Sequence, residues 1–330
     1  MKKKVTVVCL RETGVPEEVA RVEQWELPPI QPHEALVEMK AAPINPADLN
    51  VLEGKYVIRP TLPAIVGNEG VGVVAECGSA VKDLAVGQRV IAPARIGSWC
   101  EAYVADAGEL VPVPADLPIE QAAMLAVNPP TAWRMLHDVV ALKPGGWVIQ
   151  NAANSAVGRL VIQFARQCGW RTVNIVRRAE LAPELKALGA ELVLMDGPQI
   201  SKQVRELTGG AELLLGLNAV GGDNAREVAR SLSPHGTLVT YGAMSREPIR
   251  IENGLLIFKD IRFRGFLITE WFRNASAQQK TEMFAQIVQQ MREGGIRVPI
   301  EKTYRLEQAR EAIRHASQTG RTGKVLLQMN

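Results

Sequence analysis

Two short stretches carry residue types that could handle a phosphorylated ligand. The first is "QNAANSAVG" at residues 150–158, between the apolar "GWVI" and the amphipathic "RLVIQFARQCG". A nucleotide-binding chain places its G-x-G-x-x-G turn in such a position, and only the third glycine, Gly158, is present. It falls in the first helical turn, where a side chain would push the helix off the sheet. The first two positions hold Ala153 and Ser155, both small enough for the backbone to approach a pyrophosphate. The N–H groups of a helix N-terminus would supply the anion site. A strand–helix–strand crossover without a ligand fits this turn as well. The second stretch is Arg177-Arg178, which begins nineteen residues after Gly158 at the end of "TVNIV". A site for NAD would hold a carboxylate at about this spacing. A guanidinium suits a 2′-phosphate instead, although a solvated basic strand end is the plain alternative. Together the two stretches favour NADP(H). Metal chemistry finds no support: the four cysteines (Cys9, Cys77, Cys100, Cys168) and four histidines are scattered, with no C-x-x-C pair.

The elements that must position these residues fall into two textures. Residues 1–115 contain short β-type runs split by Gly and Pro turns, among them "ALVEMKAAPI", "GVGVVAECG", "RVIAPA" and "EAYVA". From about residue 120 to 265, the apolar strands "WVIQNA", "TVNIV", "LVLMD", "LLLGLNAV" and "TLVTYGA" alternate with helical segments, as in a parallel sheet covered on both faces. The tail is mixed, with helices in "QKTEMFAQIVQQMREG" and "EQAREAIRHAS" and a closing strand "KVLLQM". We expect an α/β chain of two domains: a β-rich domain from 1–120 and 270–330, and a nucleotide domain from 121–269. With 330 residues, 47% hydrophobic and 22% charged, the chain has an ordinary globular composition. A net charge of +3 spread along the chain gives no nucleic-acid arm. No apolar run approaches the roughly 20 residues of a membrane span. "VTVVC" at residues 5–9 reads as a first strand, and a cytoplasmic location is expected.

Several segments carry a resemblance. "GNEGVGVV" (67–74), "VGQRVIAP" (87–94), "LKPGGWVIQNAANSAVG" (142–158) and "LKALGA" (185–190) resemble the medium-chain dehydrogenase/reductase superfamily over nearly the whole chain. "INPADLNVLEGKY" (44–56), "AVNPPTAWRML" (126–136), "NIVRR" (174–178), "YGAMS" (241–245) and "LLIFKDIRFRGF" (255–266) resemble its 2-enoyl thioester reductases of mitochondrial fatty-acid synthesis. "QNAANSAVG" is similar to that subfamily's own version of the nucleotide turn. The resemblance implies a GroES-like β domain carrying a Rossmann domain, with the active site between them. It also implies no zinc. Zinc-dependent relatives carry a cysteine near the position of Asn45 and a histidine at that of Asn68; this chain has neither there, and the four-cysteine lobe expected near residue 95 is missing. Glu69 is then a structural hydrogen-bond partner.

Without a metal, a conjugated C=C is a better substrate than a carbonyl. Hydride adds to the β carbon, and the α carbon must gain a proton. Tyr56 is the candidate donor, since a phenol with a reference pKa near 10 stays protonated at neutral pH; the resemblance assigns the same role. By the same resemblance, Asn128 contacts the nicotinamide end, and Asn154, Ser155, Ala156 and Val157 surround the pyrophosphate. Tyr241, Gly242, Ala243 and Met244 edge the cofactor path, Phe266, Leu267 and Ile268 line the nicotinamide pocket, and Lys324 reaches the cofactor. Asn45 and Leu267 belong to the substrate pocket, and Leu267 stands where animal members have Trp, which would reshape the acyl site. Tyr103 reads as core, and His137 and His235 as solvated. The alternatives are an NADPH:quinone oxidoreductase and an NADPH-binding regulatory or structural protein. Acyl carrier protein is a possible partner. A homodimer is expected, joined through an exposed apolar edge at "TLVTYGA" and "IRFRGFLI". Arg177→Asp should weaken NADPH far more than NADH, by about 1.5–3 kcal/mol or roughly 10–150-fold. Titration of both cofactors checks this, and equal affinities in the unmutated protein would remove its basis.

Overall fold

The computed structural model describes residues 3–93, 95–293 and 295–329. The chain divides into two compact units: Met1–Val127 with Thr281–Arg292 and Arg297–Asn330, and Asn128–Lys280 with Glu293–Ile296. The first crossings fall at 127/128 and 280/281, where 120 and 270 were expected, and Glu293–Ile296 return briefly to the second unit. Local contacts explain both. Gln121 stays with the first unit by a two-way amide pair with the Val298 backbone, at 2.9 and 3.0 Å. The helix Ile268–Asn274 stays with the second, where Arg134 lies 4.6 Å over the Trp271 ring.

The first unit begins with β1 (Lys4–Leu10) and β2 (Ala20–Glu26), an antiparallel pair joined on its other side by the short β4 (Ala64–Ile65). β1 is buried on both faces, which is why "VTVVCL" is a continuous apolar run. β3 (Glu34–Pro43) pairs with β5 (Val71–Cys77), which continues to β6 (Arg89–Ile91) and β8 (Val111–Pro112), while β7 (Ala102–Asp106) also pairs with β3. The core includes Val7, Val8, Leu10, Met39, Trp99 and, as expected, Tyr103.

The second unit holds six parallel strands: β9 (Trp147–Gln150), β10 (Arg171–Val176), β11 (Leu192–Met195), β12 (Leu213–Asn218), β13 (Thr237–Thr240) and β14 (Arg262–Gly265). Their order is β11-β10-β9-β12-β13-β14, so the winding reverses between β9 and β12. This is the doubly wound nucleotide-binding topology, with its ligand crevice outside the carboxyl ends at the reversal. The expected dimer edge needs correction. β13 is covered on both sides, and of these two strands β14 alone lies at an edge. It reads R-F-R-G with Arg262 and Arg264 exposed, so the edge is cationic where an apolar one was expected. His235 is exposed as read. His137 is exposed too, yet its ring stacks on Trp133 at 4.0 Å.

The tail returns to the first unit with β15 (Ile300–Arg305) and β16 (Lys324–Gln328). β16 runs antiparallel to β3, with Leu326 opposite Pro43 and Leu327 opposite Ala42, and Ile44 N–H donates to Val325 O at 3.0 Å. One more step of this register carries Lys324 to Asn45.

Candidate functional site

In the second unit, the nucleotide turn leaves β9 and enters the helix Ala156–Gln167. Ser155 caps that helix, its Oγ accepting from Gly158 N–H at 3.1 Å. A Cβ on Gly158 would lie 2.6 Å from Ala153 O and 2.7 Å from Ala152 O. The clash is with the turn's own backbone, so a side chain would spoil the turn itself. Arg177 and Arg178 follow β10, Tyr241–Met244 follow β13, and Phe266–Ile268 follow β14. Because the strands are parallel, all these expected cofactor residues gather along one edge of the sheet. Arg177 is exposed, and Arg178 lies 3.7 Å from Glu180. Leu267 precedes the helix Ile268–Asn274 and is 40% exposed, and Asn128 is buried at the start of the helix Asn128–Asp138.

Sequence reasoning missed a set of buried amides beneath this edge. Gln150 Nε2 donates to Gly158 O at 2.9 Å and to Asn174 Oδ1 at 2.8 Å. Asn151 Nδ2 donates to Asn218 Oδ1 at 2.7 Å, and Asn151 Oδ1 accepts from Ala219 N–H at 2.7 Å. Asn218 Nδ2 reaches Thr240 Oγ1 at 3.1 Å. These bonds tie the turn after β9 to the loops after β12 and β13. The only sequence signal is an amide at the end of otherwise apolar strands.

In the first unit, Asn45 and Asp48 form a capping box on the helix Pro46–Leu52, with Asn45 N–H donating to Asp48 Oδ2 at 2.7 Å. The loop beyond folds back, Tyr56 N–H donating to Asn50 O at 3.0 Å. Tyr56 is half-buried on a cavity of about 340 Å³, with Asp48, Asn68 and Arg95 and the apolar Val51, Ile58 and Ile65. Burial raises the Tyr56 pKa, the Asp48 carboxylate adds to the rise, and Arg95 opposes it. The hydroxyl is therefore held in its neutral, donating form.

Behind Asp48 lies a buried charge cluster. Lys324 Nζ donates to Asn45 Oδ1 and, at 3.4 Å, to Ile44 O. Asn45 Nδ2 donates to Glu69 Oε1 at 2.7 Å, and Val127 N–H to Glu69 Oε2 at 2.9 Å. Asn68 Nδ2 donates to Asp48 Oδ1 at 2.6 Å. Burial pushes the Glu69 carboxyl well up and the Lys324 ammonium down, each partly restored by the other. Burial also pushes Asp48 up to about 6.

Known proteins resemble this chain in sequence and in fold. Residues 31–115 match the alcohol dehydrogenase GroES-like domain, and residues 188–327 the model described as zinc-binding dehydrogenase. The mitochondrial enoyl-[acyl-carrier-protein] reductase of Rattus norvegicus is 41% identical over 292 residues, covering 87% of this chain and 78% of that protein. The chain belongs to the medium-chain dehydrogenase/reductase superfamily of these enoyl reductases. Its fold matches the Etr1p/NADP/crotonyl-CoA complex with a TM-score of 0.89 at 28% identity, over 99% of this chain and 100% of that one. It also matches a quinone oxidoreductase of Pseudomonas syringae pv. tomato, with a TM-score of 0.88 at 28% identity over 98% and 99% of the two chains.

Zinc does not fit the superfamily's usual place in this chain. Asn45 and Asn68 offer amides, and the buried cation there is the Lys324 ammonium. Among the described residues, no group of three or more His, Cys, Asp or Glu could hold a metal. Lys324, expected at the cofactor, is engaged with Asn45 and the Ile44 carbonyl. Glu69 is the hydrogen-bond partner it was read as. Asp48 was not singled out, although Asn-x-x-Asp ahead of an apolar run is a recognisable cap signal.

The Asp48 shift sets a pH dependence. A carboxyl whose folded pKa lies above its unfolded value contributes stability that is complete below the unfolded pKa, near 4, and lost as pH rises through about 6. Asp48→Asn, fixed as neutral, should gain stability relative to the parent between pH 4 and pH 6.5. Urea midpoints across this range measure it, and parallel curves would refute it.

Proposed function

We propose that the protein reduces the C2=C3 double bond of 2-enoyl thioesters with NADPH. The observation that carries the reading is Tyr56, a neutral hydroxyl on a cavity beside a buried carboxylate, in a chain 41% identical to an enoyl reductase. NADPH is supported by the capped helix at residue 155, the space kept by Gly158, and the cationic end of β10. The turn's N–H groups bind the pyrophosphate, and Arg177 pairs with the 2′-phosphate. When bound, the cofactor supplies a hydride, which adds to the β carbon as the C=C π pair moves toward the thioester oxygen. Tyr56 steadies that developing enolate by its O–H and then gives its proton to the α carbon, and the phenolate recovers a proton from water. Asp48 disfavours the phenolate, which keeps the hydroxyl protonated and ready to donate a hydrogen bond and draws the phenolate back to its neutral form after the transfer. The acyl carrier is coenzyme A or acyl carrier protein.

Quinone reduction is the second reading, favoured by the fold match to the P. syringae enzyme. It needs no proton on carbon. Tyr56→Phe should keep NADPH binding and lower kcat/KM for a crotonyl thioester by about 10²–10⁴, with a much smaller loss toward a quinone. Parental rates with the thioester, hydride transfer being rate-limiting, would remove Tyr56 as the donor.

We also propose a homodimer through the edge of β14. Ile257 and Phe258, just before it, are 70% and 84% exposed, more apolar surface than an isolated edge would carry. Sedimentation should give twice 36.0 kDa, and Phe258→Glu should shift the protein toward monomer. A monomeric mass for the parent at micromolar concentration would contradict this.

A further inference from the structure

We propose that the pair formed by the buried Arg159 and Glu184 is a positioning element for the cofactor, holding the nucleotide turn in its binding shape. The proposal rests on the dinucleotide reading above. Arg159 sits one residue after Gly158 on the helix Ala156–Gln167 and is 2% exposed. Its Nε donates to Asn154 O at 2.9 Å, inside the turn. Its two terminal nitrogens clasp the Glu184 carboxylate, one of them at 3.1 Å. Glu184 lies on the helix Ala182–Leu188, which follows Arg177 and Arg178 by a single short turn.

Several features point to positioning. A buried ion pair is weak evidence for stability, because an apolar residue of similar volume often does as well or better. The Glu184 side chain is still 42% exposed, so the pair gains less than an enclosed one would. What the guanidinium does achieve is to occupy the Asn154 carbonyl, whose lone pairs would otherwise be free to repel a pyrophosphate. The same turn holds Ala152 at φ 48, a left-handed conformation that an alanine adopts only under constraint from its surroundings. Ser155 N–H bonded to Ala152 O at 2.9 Å supplies one such constraint, and Arg159 on the next carbonyl but one supplies another. Through Glu184, the pair also joins the loop after β9 to the element after β10, so the sites for the two phosphate groups share one brace.

The test is cofactor binding by the cofactor-free protein, followed by NADPH and NADH fluorescence, with thermal unfolding recorded in parallel. Glu184→Ala should raise both dissociation constants by roughly tenfold, the effect of losing a charge-assisted bond. The NADPH/NADH ratio should not move, because the pyrophosphate is common to both. Arg177→Asp, in contrast, should collapse that ratio. Glu184→Gln keeps an acceptor and should recover part of the loss at an unchanged unfolding midpoint, which a merely structural role would not give. Parental affinity in Glu184→Ala, or an affinity loss that tracks a lowered midpoint in both Glu184 variants, would overturn the proposal. Should the parent bind neither cofactor, the dinucleotide reading itself falls and the proposal with it.

Discussion

An ammonium cannot be buried at low cost without acceptors and opposite charge. Lys324 is buried, and much of the first unit's candidate site follows from how it is satisfied. Its hydrogen bond goes to Asn45, which passes the contact to Glu69 through the other end of its amide. The same Asn45 caps the helix whose third residue is Asp48, and Asp48 and Asn68 then reach the cavity that Tyr56 lines. One cation thus compensates two buried carboxylates and fixes the start of the segment that ends in Tyr56. The cluster occupies the place where zinc-dependent members of the superfamily would hold metal ligands, and it is built from groups zinc does not favour.

The second unit depends on a different constraint. Six parallel strands bring every carboxyl end to one edge, so loops far apart in sequence are neighbours without any dedicated contact. The loops still need fixed heights relative to one another. Buried amides supply that: Gln150, Asn151, Asn174 and Asn218 hydrogen-bond sideways across strand ends that are otherwise apolar. Each is worth little net when paired, and each would be costly to leave unpaired, which makes the arrangement specific. With only one glycine left in the nucleotide turn, the shape that three glycines commonly allow comes from Ser155, the strained Ala152 and bonds from outside the turn.

The reading as an enoyl reductase joins these two halves chemically. Conjugate reduction needs a hydride and a proton on adjacent carbons. The cationic β10 end and capped helix suit the dinucleotide that carries the first, and the half-buried, neutral phenol suits the second. Carbonyl reduction would instead need a strong electrophile at the oxygen, and the residues at the superfamily's metal position are unsuited to provide one.

The sequence by itself determined the class and order of elements. Apolar runs bounded by Gly and Pro located β1, β9, β10 and β12, and helical spacing located 156–167, because burial on one or two faces imposes a period that needs no knowledge of partners. Gly158 and Arg177 were legible from the spacing of the nucleotide turn, and Tyr56 as a candidate from the resemblance of its segment. Only the tertiary structure decided which strand is the edge. β13 and β14 are both expected near the outer edge, and the difference is that β14 has a neighbour on one side alone. It alone revealed the Lys324 cluster, because Asn45 and Lys324 are 279 residues apart and meet through the register of β16 on β3. The same holds for Arg159 with Glu184 and for the buried amides: a single polar residue in an apolar run looks alike whether it faces water or a partner. Pairing across the fold is a property of register and packing, and neither is written in the local pattern.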